Sequence, residues 1–296
     1  MGRRSSGVRS DRSGTGGSLR RCFETVSDNS SGDDFTNHDH ALEWIPHEVE
    51  NMNVSQALVV TLRRATARQP QVQRILQTCP VPCEIHDAVD GKLLADDELQ
   101  RWVEPRLHSP SYPFPLNVGE VGCFLSHRGI WQRIVDEGWE QTLVVEDDIE
   151  LEPGFEESLA FASDHAKPGD YVQFQVRPFS SPHRVMAQQS KWSLLCPDVI
   201  PLRTSAQLVT RLAAEKLLDA SEQIDRPVDA FIQMRWVTGV RVVVMQPSCV
   251  HEVSANLGGS TIGGGKKRPV ADRVKREVLR PIYRFQIATR SRRDAA

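Results

Sequence analysis

The residues of this chain best suited to chemistry are three adjacent carboxylates, Glu146, Asp147 and Asp148, which follow the apolar run Leu143-Val144-Val145. Three like charges side by side repel unless a cation compensates them, and their hard oxygens suit Mg²⁺ or Mn²⁺. The run before them reads as a strand buried on both faces, as in a parallel sheet. In open α/β sheets ligands bind beyond the carboxyl ends of the strands, where the triplet would stand. Alone, such a triplet also fits a solvated acidic turn. A second group is basic: Arg63, Arg64 and Arg68 follow the apolar run Ala57–Leu62. A basic loop between a strand and the helix after it is well placed to meet phosphates. Other candidates are Asp90 in the Asp90-Gly91 turn, the Ser126-His127 pair, Asp229 behind Pro227, and His251 after the last apolar run.

The elements that must position these residues follow from periodicity. Val72, Ile75, Leu76 and Cys79 share one face of a helix running to Thr78, with Pro70 in its first turn. Cys83–Val89 reads as a second strand and residues 96–102 as a short helix; residues 105–116 hold four prolines and read as a loop. Asn117 and Glu120 form a capping box at the head of a helix that ends at Gly138. Gly122 and Gly129 inside that helix each cost about 1 kcal/mol, so close packing or a ligand is expected there. Beyond the triplet come a helix over 155–165, a strand over 171–176 and a polar stretch, 177–198, read as a mobile loop. A strand over 204–210, a helix over 211–221, a helix from Asp225 and a last strand over 240–245 complete the body. Residues 247–265, rich in glycine, read as a flexible loop.

Composition narrows the class. A chain of 296 residues with 39% hydrophobic and 25% charged residues is ordinary for a globular α/β protein. The net charge of −3 implies no general attraction to nucleic acid. No apolar run reaches the roughly 18 residues of a membrane span, and no signal peptide is visible. The six cysteines lack a zinc-site spacing and read as reduced thiols of a cytoplasmic protein. Residues 1–53 read as a disordered or loosely attached extension, 54–265 as the folded domain, and 266–296 as a basic tail. That tail holds eleven Lys/Arg against three Asp/Glu, so it suits either solvent or an anionic lipid surface.

Read in order, Ala88-Val89-Asp90-Gly91, then Gly119-Glu120-Val121-Gly122-Cys123-Phe124-Leu125-Ser126-His127, then Val145-Glu146-Asp147-Asp148 resemble the pattern of glycosyltransferase family 25. That family includes lipooligosaccharide galactosyltransferases and collagen galactosyltransferase domains. The resemblance starts near Val59, continues through Arg226-Pro227-Val228-Asp229 and ends near Ser260-Thr261-Ile262. It implies an α/β, GT-A type fold with a central, mostly parallel sheet flanked by helices. It also implies a nucleotide-sugar donor and a divalent metal held by the acidic motif. Glu146, Asp147 and Asp148 match that motif, Ser126 and His127 its Ser-His pair, and Asp229 the acid of its Pro-x-Asp segment. Arg203 stands where the family pattern has glycine, and Gln207 where tyrosine is common.

On that basis the expected activity is metal-dependent transfer of a hexose, galactose in particular, from a UDP-sugar to a hydroxyl of a cell-envelope glycan or other acceptor, with inversion. Asp148 is the expected first ligand of Mn²⁺ or Mg²⁺, Glu146 the second, and His251 a third from the far side. Arg63, Arg64, Arg68, Asp90, Ser126 and Asp147 are the expected donor-binding residues. Asp229 is the expected general base, with His127 beside it in the catalytic group. A catalytically silent relative that binds a nucleotide or glycan is the alternative, and a metal-dependent phosphoryl hydrolase a further one.

Overall fold

The computed structural model describes residues 52–177, 179–257 and 270–295. All but the last two residues of the expected N-terminal extension lie outside them, as do Gly258 to Gly265. Among the described residues an eight-stranded sheet runs through the body. Its strands are β1 (Gln56–Thr61), β2 (Cys83–Asp87), β3 (Gln141–Glu146), β5 (Asp170–Phe174), β6 (His183–Gln189), β7 (Trp192–Pro197), β8 (Ala206–Thr210) and β9 (Arg241–Gln246). They lie in the order β2-β1-β3-β8-β5-β9-β7-β6. β8 and β7 run against the other six strands. This is the expected α/β class with a mostly parallel sheet. A separate pair, β4 (Ile149–Leu151) with β10 (Val250–Glu252), is antiparallel and sits just past the acidic triplet.

The uninterrupted apolar runs have a simple cause: both faces of the sheet are covered. Leu58, Val60 and Val144 pack with α3 (Val118–Asp136) and α5 (Arg211–Asp219) in one core. Ala57, Val59, Leu143 and Val145 alternate onto the other face, against α1 (Gln69–Thr78) and α4 (Phe155–His165). A short helix, α2 (Asp96–Trp102), leads to the proline-rich loop. Short helices α6 (Val228–Ile232) and α7 (Arg235–Thr238) carry the chain toward β9.

Three expectations give way. The stretch 177–198 holds a hairpin, β6 paired with β7, rather than a loop. β6 is an edge strand exposed at six of its seven positions, so it carries no apolar alternation to announce it. The strand over 240–245 is followed by β10 and a 3-10 turn, Ser254–Leu257. The basic tail is a helix, α8 (Val270–Ala295), whose Tyr283 and Ile287 join the first core. No helix among the described residues is long and apolar enough to cross a membrane.

Candidate active site

The parallel pairing of β1 with β2 and β3 brings three strand ends together, and the segments beyond them form a cavity of about 100 Å³. Its lining includes Arg64, Arg68, Asp90, Ser126, His127, Glu146, Asp147 and Asp148. Eight of the residues picked from sequence therefore meet in one place. α3 supplies the opposite wall, and its approach is close. A Cβ on Gly122 would lie 2.6 Å from both the Gly91 nitrogen and the Val89 oxygen, so only glycine fits. Gly129 is different: a Cβ there would make ordinary contact with His86 at 3.6 Å. The Asn117 side chain accepts from Gly119 and Glu120 N–H, and Glu120 accepts from Asn117 N–H, which closes the capping box. Ser126 Oγ donates to Gly122 O at 2.7 Å and accepts from Val89 N–H at 2.8 Å, locking the turn that carries Asp90.

The three carboxylates have separate surroundings. Asp147 is buried, accepting from Thr61 Oγ1 at 2.6 Å and from Arg68 Nη1. Arg68, also buried, lies 3.3 Å from Asp148 through Nη2. Burial first, then the neighbouring Glu146 charge, raises the Asp148 pKa to about 6, against the pull of Arg68. Burial also pushes Glu146 up, but donation from His127 and Thr204 outweighs it and holds the group below the usual carboxylate range. Thr204 Oγ1 reaches Glu146 at 2.6 Å, and His127 Nε2 lies 3.7 Å away. Arg203, just before Thr204, has φ +96°, a region that favours glycine, and its guanidinium pairs with Glu252 at 2.5 Å. Gln207 accepts from the Tyr171 hydroxyl at 2.6 Å inside the core.

A second cavity, of about 480 Å³, adjoins the first and shares Cys123, Glu146 and Asp148 with it. Asp229 lines it from α6, accepting from the Ala230 N–H at 2.7 Å, and burial raises its pKa. Two predicted residues stand apart. Arg63 is 83% exposed and pairs with Asp87, outside both cavities. His251 sits on β10 opposite Glu150, exposed, and lines neither cavity. Sequence reasoning passed over Cys123, Thr61 and Thr204. Cys123 was within reach, since Gly119, Cys123, Ser126 and His127 recur at helical spacing; Thr61 and Thr204 are brought in only by tertiary structure.

No group of three or more His, Cys, Asp or Glu among the described residues is gathered as a metal cage. A divalent ion nevertheless fits the donor set. Asp148 and Glu146 offer hard oxygens at the junction of the cavities, and a positive charge would relieve the opposed ionisation of Asp148.

Adjoining cavities that meet over two carboxylates at the strand ends of a mostly parallel sheet suit an enzyme that moves a group between two ligands. The chain belongs to glycosyltransferase family 25: the model described as "Glycosyltransferase family 25 (LPS biosynthesis protein)" matches residues 54–232. It is 31% identical over 212 residues to "Procollagen galactosyltransferase 1" of Danio rerio, covering 66% of this chain and 33% of that one. It is 32% identical over 209 residues to "Procollagen galactosyltransferase 2" of Homo sapiens, covering 65% and 32%. A "Probable inactive glycosyltransferase 25 family member 3" of Bos taurus is 30% identical over 205 residues, covering 63% and 32%. The chain thus spans about a third of the length of these curated relatives. Among solved structures, a glycosyltransferase involved in the glycosylation of the major capsid of PBCV-1 aligns with TM-score 0.30 and 14% identity over 55% of this chain and 62% of that one.

Proposed function

We propose that the chain transfers a hexose, galactose by analogy with its relatives' names, from a UDP-sugar to an acceptor hydroxyl of a cell-envelope glycan, with inversion. The observation that supports this most is the pair of cavities meeting at Glu146 and Asp148. The first cavity takes the donor's diphosphate and nucleoside; the second takes the acceptor. At about 100 Å³ the first is smaller than the roughly 300 Å³ of a typical small-molecule site, so the donor must open it. The Arg64–Asp90 ion pair at its rim is the part that gives, because a surface pair is worth only about 0–1 kcal/mol. Once open, Arg64 turns to the diphosphate and Asp90 to the base or ribose.

Asp147 acts at one remove: its two oxygens are engaged by Thr61 and Arg68, so it holds the buried guanidinium toward the phosphates. His127 and Thr204 steady Glu146 in the same way. Mn²⁺ or Mg²⁺ held by Asp148 and Glu146 would neutralise charge on the leaving nucleoside diphosphate. Asp229, its pKa raised by burial, takes the acceptor's proton as the hydroxyl attacks. The reading also places the chain in the cytoplasm, against the inner face of a membrane. The match to a probable inactive relative favours a silent, nucleotide-binding role as the second reading, and the intact triplet speaks against it.

A thermal-shift screen of UDP-, GDP- and CMP-sugars with and without Mn²⁺ tests the proposal. Selective protection by UDP-galactose and Mn²⁺, lost in Asp148→Ala, and Mn²⁺-dependent release of UDP are expected. Protection without any turnover would establish the silent reading. Manganese found in soaked crystals anywhere but beside Asp148 would overturn the site.

A further inference from the structure

The second cavity has a wall that the family match does not reach. The matched stretch ends at Ile232, and α8 lies wholly beyond it. Arg280, Tyr283 and Arg284 of α8 line the cavity together with Tyr112 and Phe114. The helix is fixed in place. The Tyr283 hydroxyl accepts from Arg226 Nη1 at 2.9 Å, and Arg226 is itself fully buried and paired with Asp225. Ser291, one turn past the buried Ile287, donates to Asp198 O at 2.6 Å. The Tyr112 ring meets Tyr283 edge-on with centroids 5.4 Å apart, and Phe114 in the same manner at 5.5 Å. Such an aromatic cluster suits the apolar face of a sugar ring.

The cations on this wall are disposed unequally. Arg276 lies over the Phe114 ring at 4.4 Å, and Arg203 across the cavity is taken by Glu252. Arg280 and Arg284, one turn apart, make no hydrogen bond, ion pair or ring contact among the described residues. Yet the cavity they line also holds Glu120, Glu146, Asp148, Asp229 and Glu252. Two guanidinium groups left over in an acid-rich cavity are available to a ligand, and guanidinium matches phosphate and carboxylate oxygens in geometry as well as charge.

We propose that α8 builds an acceptor subsite for an anionic sugar. The ring packs on Tyr112, Phe114 and Tyr283, its phosphate or carboxylate is bound by Arg280 and Arg284, and its free hydroxyl is presented toward Asp229. This rests on the glycosyl-transfer reading of the same site and adds the acceptor's chemical class.

The test uses the full chain and four probes: a neutral hexose, its 6-phosphate, the hexuronate and the hexosamine. The phosphate and the uronate raise the melting temperature and the other two do not. Arg280→Gln with Arg284→Gln weakens both responses about tenfold or more, the size expected for losing one charge-assisted contact. Arg280→Lys with Arg284→Lys retains part of them. Arg64→Ala, in the first cavity, leaves them intact. Equal protection by the neutral hexose or the hexosamine overturns the proposal. So does protection that survives the Gln pair and is lost in Arg64→Ala, which would put the anion in the donor cavity. Protection by anionic sugars through α8 with no response to any nucleotide sugar would remove the transfer reading and leave the subsite. A response to UDP-galactose with none to any anionic sugar would do the reverse.

Discussion

Asp147 is held by Thr61 and Arg68, while its neighbour Asp148 ionises against the preference of its surroundings. The two should therefore respond oppositely to loss of charge. Asp147→Asn leaves the buried Arg68 short of a counter-charge and should cost about 3 kcal/mol, read by urea denaturation. Asp148→Asn should abolish Mn²⁺-dependent turnover yet stabilise the metal-free protein. A carboxyl whose pKa is raised to about 6 in the fold costs stability above that pH; the cost fades toward about pH 4, its unfolded value. The gain in Asp148→Asn, about 3 kcal/mol by the same linkage, should thus be present at pH 8 and smaller at pH 5. The triplet was legible in sequence because three carboxylates ending an apolar run have few innocent explanations. The division of labour among the three was not, since the strand ends at Glu146 and the turn beyond it has no fixed period. Nor were the partners of Asp147, because Thr61 and Arg68 are 86 and 79 residues away in the chain.

At the scale of elements, α3 and the turn after β2 meet where helix backbone approaches turn backbone at Gly122, beside the Ser126–Val89 hydrogen bond. Gly122→Ala should cost about 1–3 kcal/mol through overpacking and displace the turn that carries Asp90, weakening UDP-sugar protection as well. Gly129→Ala, with room for its methyl, should gain up to about 1 kcal/mol from helix propensity and leave donor binding unchanged. Sequence marked both glycines as anomalies in a helix and could not separate them, because the distinction lies in what each faces. The long buried strands and capped helices were read well, since each has a period or a cap as its own signature. The β6–β7 hairpin was not: β6 has no buried face, and the apolar residues of β7 lie in the middle of a polar stretch.

At the scale of the molecule, α8 turns a basic tail into an element with two working faces. Tyr283, Ile287 and Ser291 are buried, whereas Val278, Ile282 and Phe285 are 57%, 49% and 71% exposed. At 100° per residue these sets lie about half a turn apart, so the apolar stripe looks outward while the other face lines the second cavity. Sequence showed the excess of positive charge but hid the helix, because Pro281 interrupts the pattern and the apolar positions split between two faces. An outward apolar stripe near the exposed Arg292 and Arg293 matches an anionic bilayer surface, where each basic side chain contributes about 1 kcal/mol. The full chain should therefore sediment with vesicles of phosphatidylcholine and phosphatidylglycerol but not with phosphatidylcholine alone, and salt should release it. Ile282→Asp with Phe285→Asp should abolish sedimentation while leaving protection by UDP-galactose unchanged, since neither side chain lines a cavity at the acidic strand end. Binding that is indifferent to lipid charge, or to these two substitutions, would mean that the stripe serves another contact. A helix laid on the bilayer in this way would hold the acceptor cavity close to the surface, within reach of a membrane-bound acceptor.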